Sequence, residues 1–579
     1  MGVVSAQNGP TGGPEAGRAT LAGWMVVFAV AVLATAASWE PAHDEGVTWT
    51  QALGPVVLPD CASRAPVPMG LLFDALGGLP EHGVRDVVES LRSNGMHPPL
   101  YYVLLNGWVR VFGIERYAMV LPALLWGCFA LLAMARISER MAPGRGSGGF
   151  ALALLATSPW FVGYSVFARP YTLVMALALG ATWAVLEIGA ASSGSRRQRR
   201  AQWAFVVLSI LGLYTLYHYV FVVIWQIVAL GLQARKASST DRRAWASLGW
   251  MVAVIAVGFA PWWPVLAAHL ERAADTGYYF AGSFPIAQWP AHFGRLLEIL
   301  LLGQALWSSW AGLLVVFLAL LGAVTIPFAI LAFRPAAFRD LAWPARSLWW
   351  AALVLPLAIV ASDLVRDSHT FFISKTSFAL LPLILLLLVR ASMEIRPRLL
   401  RAGMMAAWAL LFAIATVGAI REDIVYTTPS EVVTDVLAGH PDSTHRVLVS
   451  TRARGYSVPF LLEARKRGLD AVEVVYAGRA DLEACLEAAM NAPDTQQVTL
   501  VDFKVPYRPQ DHWGELPQQL LASRAGARAW EAVFLDPADP RVAGSEGAAP
   551  WLQKLREVRS SERPLVITVA PVKAHWFSE

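Results

Sequence analysis

Two adjacent carboxylates, Asp44 and Glu45, stand in the stretch SWEPAHDEGVTW (38–49), directly after an uncharged apolar run. An acidic pair held beside lipid is costly unless it is solvated or used. Farther along, His97 opens HPPLYY, Arg169 sits in YSVFARPYTL (164–173), and His218 sits in LYHYV (216–220). Asp363, Arg366, Asp367, His369 and Lys375 follow within one short segment. A carboxylate within hydrogen-bond reach can act as a general base toward a hydroxyl or an amine. Arg, Lys and imidazole can hold the oxygens of an anionic phosphate. An acidic pair also permits Mg2+ or Mn2+, with Asp44 as the ligand, without requiring either.

Taken singly, each residue has an ordinary reading. Asp-Glu after a span is most often a solvated loop edge. Arg169 could snorkel at headgroup level. His218, between two tyrosines at a tight turn, could be interfacial packing. His97 before Pro-Pro could cap a helix that begins at the prolines.

Composition sets the class of molecule. The chain has 579 residues, 56% hydrophobic and 15% charged, where a soluble domain carries about 25% charged residues. Mean hydropathy is +0.48. This describes a polytopic α-helical membrane protein. The net charge of +5 then reports loop charges. No basic patch interleaved with aromatics offers a nucleic-acid surface, so no nucleic-acid partner is expected. The cysteines, Cys61, Cys128 and Cys485, have no metal-knuckle or redox spacing. Cys61 and Cys485 could pair in an oxidising compartment, although leftover cysteines are more often free thiols.

A membrane span needs about 20 apolar residues. About 11 candidate transmembrane helices can be drawn, at 21–39, 117–135, 147–168, 170–188, 202–217, 219–234, 245–265, 309–333, 347–364, 372–389 and 402–420. Basic clusters fall at Arg136/Arg140/Arg145, at RRQRR (196–200) and at Arg235/Lys236/Arg242/Arg243. Two more lie at Arg334/Arg339/Arg346 and Arg390/Arg396/Arg398/Arg401. All share one side if the N-terminus is cytoplasmic, as the positive-inside rule requires. The first outer loop (40–116), the 266–308 loop and everything after 420 then lie outside. This arrangement requires MHPPLYYVLLNGWVRVFG (96–113) to lie on the outer leaflet as an interfacial helix, and 299–308 to be interfacial or re-entrant. ATAAS (34–38) has the look of a signal-cleavage site, but the run before it is longer than a signal core and ten spans follow. Residues 1–20, Gly-rich and polar, read as a disordered cytoplasmic tail.

The organisation expected is therefore 1–20 as tail, 21–420 as the membrane domain, and 421–579 as an extracytoplasmic soluble α/β domain. In the last part, 445–451, 471–477, 496–503 and 563–571 read as strands. Residues 457–468, 479–491 and 516–526 read as helices between them. That tail has no phosphate loop or nucleophile elbow, and DPADP (536–540) reads as a surface turn.

This topology brings acids, cations and imidazoles scattered over the chain to one aqueous face. Sugar transfer from a lipid-phosphate carrier needs such a set: a carboxylate for the acceptor, positive charge for the phosphate leaving group, and a groove for the apolar tail. One direct displacement would invert the anomeric centre. A transporter or flippase of a lipid-linked glycan is the alternative; it would want ionisable groups near the midplane and broken helices in paired repeats.

The order of a first span, an acidic pair, HPPLYYVLLNGWVRVFG, a span, a basic turn and SPWFVGYSVFARPYTL resembles GT-C glycosyltransferases of the family-39 type. These include protein O-mannosyltransferases, the lipid A aminoarabinose transferase and lipopolysaccharide-core transferases. The resemblance is most specific over 40–175, rests on span pattern to about 390, and covers little of 421–579. It implies a GT-C fold at the cell membrane and a polyprenyl-phosphate sugar as donor, with a glycan, lipid or protein as acceptor. By the same resemblance Asp44 is the base or metal-binding carboxylate, with Glu45 beside it. His97, Arg169 followed by Pro170 and Tyr171, and Lys375 would contact substrate; the span topology, not the resemblance, adds His218 to that set. KTSFALLP (375–382) departs from the family's Arg-Tyr pattern, since Lys375 keeps the charge but loses the bidentate fork. The soluble domain that mannosyltransferases carry within a luminal loop is missing here.

Overall fold

The structure, a computed structural model, describes residues 14–38, 43–53, 67–68, 83–94, 97–143, 146–237, 242–276, 284–303, 311–332, 343–395, 397–425, 445–450, 457–477, 497–501, 531–535 and 565–569, with a few isolated positions between the last segments. The helices are α1 (Pro14–Ser38), α2 (His43–Leu53), α3 (Val84–Asn94), α4 (Leu100–Phe112), α5 (Arg116–Met141), α6 (Ser147–Ala156), α7 (Pro159–Val166), α8 (Tyr171–Ala190) and α9 (Arg196–Leu213). They continue as α10 (Tyr219–Ala237), α11 (Arg242–Phe259), α12 (Trp263–Thr276), α13 (Trp289–Leu302), α14 (Ala311–Ala332), α15 (Trp343–Arg366), α16 (Leu380–Met393), α17 (Arg398–Val425) and α18 (Ser457–Lys466). The strands are β1 (Val67–Pro68), β2 (His445–Ser450), β3 (Glu473–Ala477), β4 (Gln497–Val501), β5 (Glu531–Leu535) and β6 (Leu565–Val569).

Among the described residues, 5 helices are long and apolar enough to cross a membrane, or up to 6 with one bent pair counted as a span. Shorter apolar helices stand at Tyr219–Arg235, Gly312–Ala323 and Leu380–Met393. Large apolar side chains such as Val257, Leu320 and Val417 face outward, as a lipid-facing surface would have them. The core runs through α8, which packs on α5 and α9, with α1 against α6 and α7. There the rings of Phe28 and Phe161 stack at 5.1 Å.

Three local results differ from the sequence expectations. Residues 14–20, expected to be disordered, are the first turns of α1. Proline suits a first helical turn because its missing N–H has no partner there anyway, so the apolar helix extends back to Pro14. Residues 1–13 lie outside the described residues. The run 147–168 is two helices, α6 and α7, meeting at 57°. Pro159 cannot donate into a continuing helix, and Ser158 caps the new one by accepting the Phe161 amide at 3.4 Å. The run 372–389 is helical only from Leu380, because 368–377 form a hydroxyl-bonded loop described below.

The five strands after α17 join β1 in a six-stranded sheet in the order β1-β3-β2-β4-β6-β5. The pairs β2–β3, β2–β4, β4–β6 and β5–β6 are parallel. A parallel pair needs a crossover, and α18 lies between β2 and β3 in the chain. β1, from the segment between α2 and α3, is antiparallel to β3, with Val67 opposite Val474. Strand β5 had no counterpart in the sequence reading. The helices read at 479–491 and 516–526 and the turn at 536–540 fall largely or wholly outside the described residues. Cys485 is disulfide-bonded and Cys128 is a free thiol; Cys61 lies outside the described residues.

Candidate functional site

Arg169 belongs to the short linker Phe167–Pro170 between α7 and α8. Pro170 disfavours helical geometry for the residue before it, so α7 ends at Val166 and Arg169 falls on a turn, its amide donating to the Phe167 carbonyl at 2.7 Å. The Ala168 N–H has left the helical ladder and needs an acceptor. Glu45 supplies it: Oε1 accepts the Ala168 amide at 2.6 Å in a buried contact. Glu45 is 2% exposed and Arg169 is 4% exposed. Arg169 Nη1 donates to Thr48 Oγ1 at 2.7 Å, and Nη2 lies 3.4 Å from His97 Nε2. Glu45 and Thr48 are three apart on α2 and so share a face. Residues from α2, the His-Pro-Pro turn and the α7–α8 linker thus meet at one place.

Each of these elements is held by further polar contacts. Asn106 on α4 donates Nδ2 to the Ala52 carbonyl at 2.8 Å, satisfying an orphan acceptor at the end of α2. Arg110 Nε in turn donates to Asn106 Oδ1 at 3.1 Å. α4 buries Tyr101, Tyr102, Leu105, Asn106 and Val109 while Leu104, Val111 and Phe112 face outward. The Leu100 amide donates to the Tyr214 carbonyl at 2.9 Å, tying the start of α4 to the α9–α10 turn. His97 stacks on Tyr102 with ring centroids 6.0 Å apart. Burial, then the nearby Glu45 and Tyr102, push the Tyr101 hydroxyl well above its usual range, with Arg169 acting the other way. Tyr101 is therefore a neutral phenol near both Glu45 and Arg169.

Aromatic rings join Arg169 to the late loop. Its guanidinium lies 5.7 Å from the Tyr171 ring centroid. Tyr171 meets Tyr164 edge-on at 4.7 Å, and the Tyr164 hydroxyl is 3.4 Å from Ser374 Oγ. Lys375, half-buried, is the next residue. Asp363, at the end of α15, accepts from Ser368 Oγ at 2.7 Å, from the Thr370 hydroxyl, and from the Phe371 amide at 2.7 Å. It shapes the loop before Lys375. Asp367 takes the left-handed conformation there, with φ 47°, a region that Asp tolerates better than most residues.

His218 stands apart. Among the described residues no hydrogen bond joins it to Arg169 or His97. Burial, and after it the Arg366 charge, lower its pKa to about 4, with Asp363 partly opposing them. It is a neutral imidazole near neutral pH. Asp44 lies on α2 next to Glu45, with its side chain outside the described residues. Among the described residues no three His, Cys, Asp or Glu side chains gather where a metal ion could bind, and Glu45 is already bonded to Ala168.

Sequence reasoning did not single out Thr48, Tyr164 or Ser374, whose neutral hydroxyls carry no pattern. It also passed over His269, buried, with Nδ1 2.8 Å from the Tyr217 hydroxyl and Nε2 2.9 Å from the Leu91 carbonyl. That contact links α12 to α3.

No family model matches the chain, and no curated protein matches it. Among solved structures, the chain is similar to ArnT from Cupriavidus metallidurans in the apo state, with TM-score 0.45 and 15% identity over 82% of this chain and 89% of that one. The same ArnT bound to undecaprenyl phosphate gives TM-score 0.45 and 15% identity over 80% and 88%. The oligosaccharyltransferase AglB from Archaeoglobus fulgidus, in complex with an inhibitory peptide and a dolichol-phosphate, is similar with TM-score 0.41 and 13% identity over 76% of this chain and 63% of that one. Fold likeness of this degree does not carry a substrate or an activity from one chain to another.

Proposed function

We propose that the chain is an inverting glycosyltransferase that moves a sugar from a polyprenyl-phosphate donor to a hydroxyl or amine acceptor at the outer face of the membrane. The observation that carries this reading is the meeting of Glu45, Thr48, His97 and Arg169 from three elements far apart in sequence. A buried guanidinium within reach of an imidazole suits a phosphate leaving group, which needs positive charge rather than a strong acid.

In this reading Asp44 is the general base toward the acceptor. Glu45, with its carboxylate bonded to the Ala168 amide, is a positioning residue that fixes the Arg169 turn. Arg169 and His97 bind the phosphate, and Tyr171 and Lys375 border the same region. His218, held neutral, contributes a hydrogen bond and no charge. A divalent cation, if used, would be held by Asp44; its chemistry would be charge neutralisation at the phosphate, and no step here depends on it.

The experiment is mass spectrometry of envelope glycans, lipids and glycoproteins in cells carrying the wild-type gene, no gene, or Asp44→Asn. A sugar modification lost without the gene and equally lost in Asp44→Asn at normal expression supports the reading. Full modification in Asp44→Asn removes the proposed base. The break between α6 and α7 favours a second reading, a flippase for a lipid-linked glycan, since transporters use broken helices. Among the described residues it is the one such bent pair, whereas the transporter pattern asks for two in matching repeats. Lipid-linked precursor trapped at the inner face in cells without the gene would favour that reading.

A further inference from the structure

At the far end of α8 from Arg169 there is a second charged site, a cavity of about 1130 Å³ between α5, α8 and α9. Its rim carries five arginines, Arg136, Arg140, Arg196, Arg197 and Arg200, and two acids, Glu139 and Glu187. Glu187 is bound from two sides: Arg140 forms an ion pair with it, and Arg197 Nε donates to its Oε2 at 2.7 Å. Arg140 also lies 5.4 Å from the Trp183 ring centroid, which holds its side chain against the wall. Arg136, Arg196 and Arg200 are exposed and make no ion pair among the described residues. The rim therefore keeps a net positive charge after its internal pairs are counted, with Glu139 as the one acid that no arginine engages.

The cavity continues from this rim into apolar territory. Gly180, Ala184, Ala204 and Leu208 line the part of it farther along α8 and α9 from the rim. Small residues on α8 and α9 leave a furrow there. At about 1.5 Å per residue, Leu208 stands about 18 Å along α9 from Arg196. By the same rise the Glu187 end of α8 is about 24 Å from its Tyr171 end, close to the ~30 Å of a hydrocarbon core. The rim thus lies at the opposite membrane surface from the Arg169 site. It also includes the N-terminus of α9, an 18-residue helix capped by Ser195, whose free amides favour an anion.

We propose that this cavity binds an anionic phospholipid of the leaflet opposite the Arg169 site, with the phosphate headgroup among Arg136, Arg196 and Arg200 and an acyl chain along Ala184, Ala204 and Leu208. A free phosphate would use the rim but not the furrow, and the length of the apolar lining favours the lipid. Basic pockets between transmembrane helices on the cytoplasmic side are suited to acidic headgroups in general.

The test uses the full-length chain purified in neutral detergent and titrated with phosphatidylglycerol, phosphatidylcholine or inorganic phosphate. Bound lipid is counted by native mass spectrometry and followed by the thermal midpoint. Phosphatidylglycerol is expected to bind and raise the midpoint, with phosphatidylcholine and inorganic phosphate doing neither at matched concentration. The combined variant Arg136→Gln, Arg196→Gln, Arg200→Gln should bind phosphatidylglycerol at least ten-fold more weakly, and the corresponding triple Lys variant should keep most of the affinity. If the triple Gln variant does not fold, the single exposed variants Arg136→Gln and Arg200→Gln read the same loss on a smaller scale. Unchanged phosphatidylglycerol affinity in the Gln variants, or equal binding of phosphatidylcholine, overturns the proposal. An equal midpoint shift from inorganic phosphate would make the rim a free-anion site and overturn the lipid assignment.

Discussion

Glu45 accepts the backbone amide of Ala168 at 2.6 Å, across 123 positions of sequence. One bond therefore joins the acidic pair at the start of α2 to the turn that presents Arg169. Glu45 is 2% exposed, and the proposed reading therefore gives it a positioning role and leaves the base to Asp44.

Replacing Glu45 with Ala leaves the Ala168 N–H buried and unpaired, at a cost of about 1–3 kcal/mol. The thermal midpoint in detergent should fall, and sugar transfer with it. Glu45→Gln keeps an oxygen acceptor and should retain most of the stability and measurable transfer. If Glu45→Gln is stable yet as inactive as Asp44→Asn, Glu45 takes part in the chemistry and the positioning role is wrong.

Arg169→Lys keeps the charge but cannot reach Thr48 and His97 together, because an ammonium lacks the planar fork. A lost hydrogen bond to a charged group is worth about 1.5–3 kcal/mol, or roughly ten- to hundred-fold in kcat/KM. The loss should appear chiefly in KM for the lipid-phosphate donor. Unaltered donor KM in this variant would show that Arg169 does not bind the phosphate.

His218 protonates near 6.5 when unfolded and near 4 when folded. Between those values the unfolded chain binds more protons, so this contribution to stability is complete above pH 6.5 and is lost as pH falls toward 4. The full shift corresponds to at most about 3 kcal/mol, reduced by the partial solvent access of the ring. The thermal midpoint of the wild type should drop between pH 7 and pH 4.5, and His218→Gln should flatten part of that drop. Identical pH profiles for the two proteins would mean that the imidazole is not held neutral.

A reporter fused after Glu579 that works only outside the cytoplasm should be active, and the same reporter fused ahead of Pro14 should be silent. The expectation comes from the basic turns, which fall on the same side as the N-terminus only if 96–113 does not cross. Activity of the Glu579 fusion in the cytoplasm would reverse the topology and place the Arg169 site on the inner face.

Much of the helical framework can be seen in the apolar runs. Residues 219–234 were expected to span and α10 covers Tyr219–Ala237; 96–113 was expected to form a short helix and α4 covers Leu100–Phe112. The charged members of the site stand out because Arg, His and Glu are rare among apolar neighbours. Their mutual contacts do not, since Thr48 and Ser374 are neutral hydroxyls whose roles depend on packing. The bend at Ser158–Pro159 did have a signal, a capping residue followed by proline at a first helical turn, which a 22-residue apolar window hides. The late start of α16 was hidden for a different reason. Thr370, Ser374 and Thr376 sit among apolar residues, and only the folded chain shows their hydroxyls and Asp363 holding that stretch out of helix.

Val67 and Pro68 form an edge strand on β3, and α2 packs on α18. The loop that carries Asp44 and Glu45 is thereby clamped to a sheet encoded at the other end of the gene. Trimming that sheet would unclothe one side of α2 and release the strand together, so a shortened chain should not be taken as a bare catalytic unit.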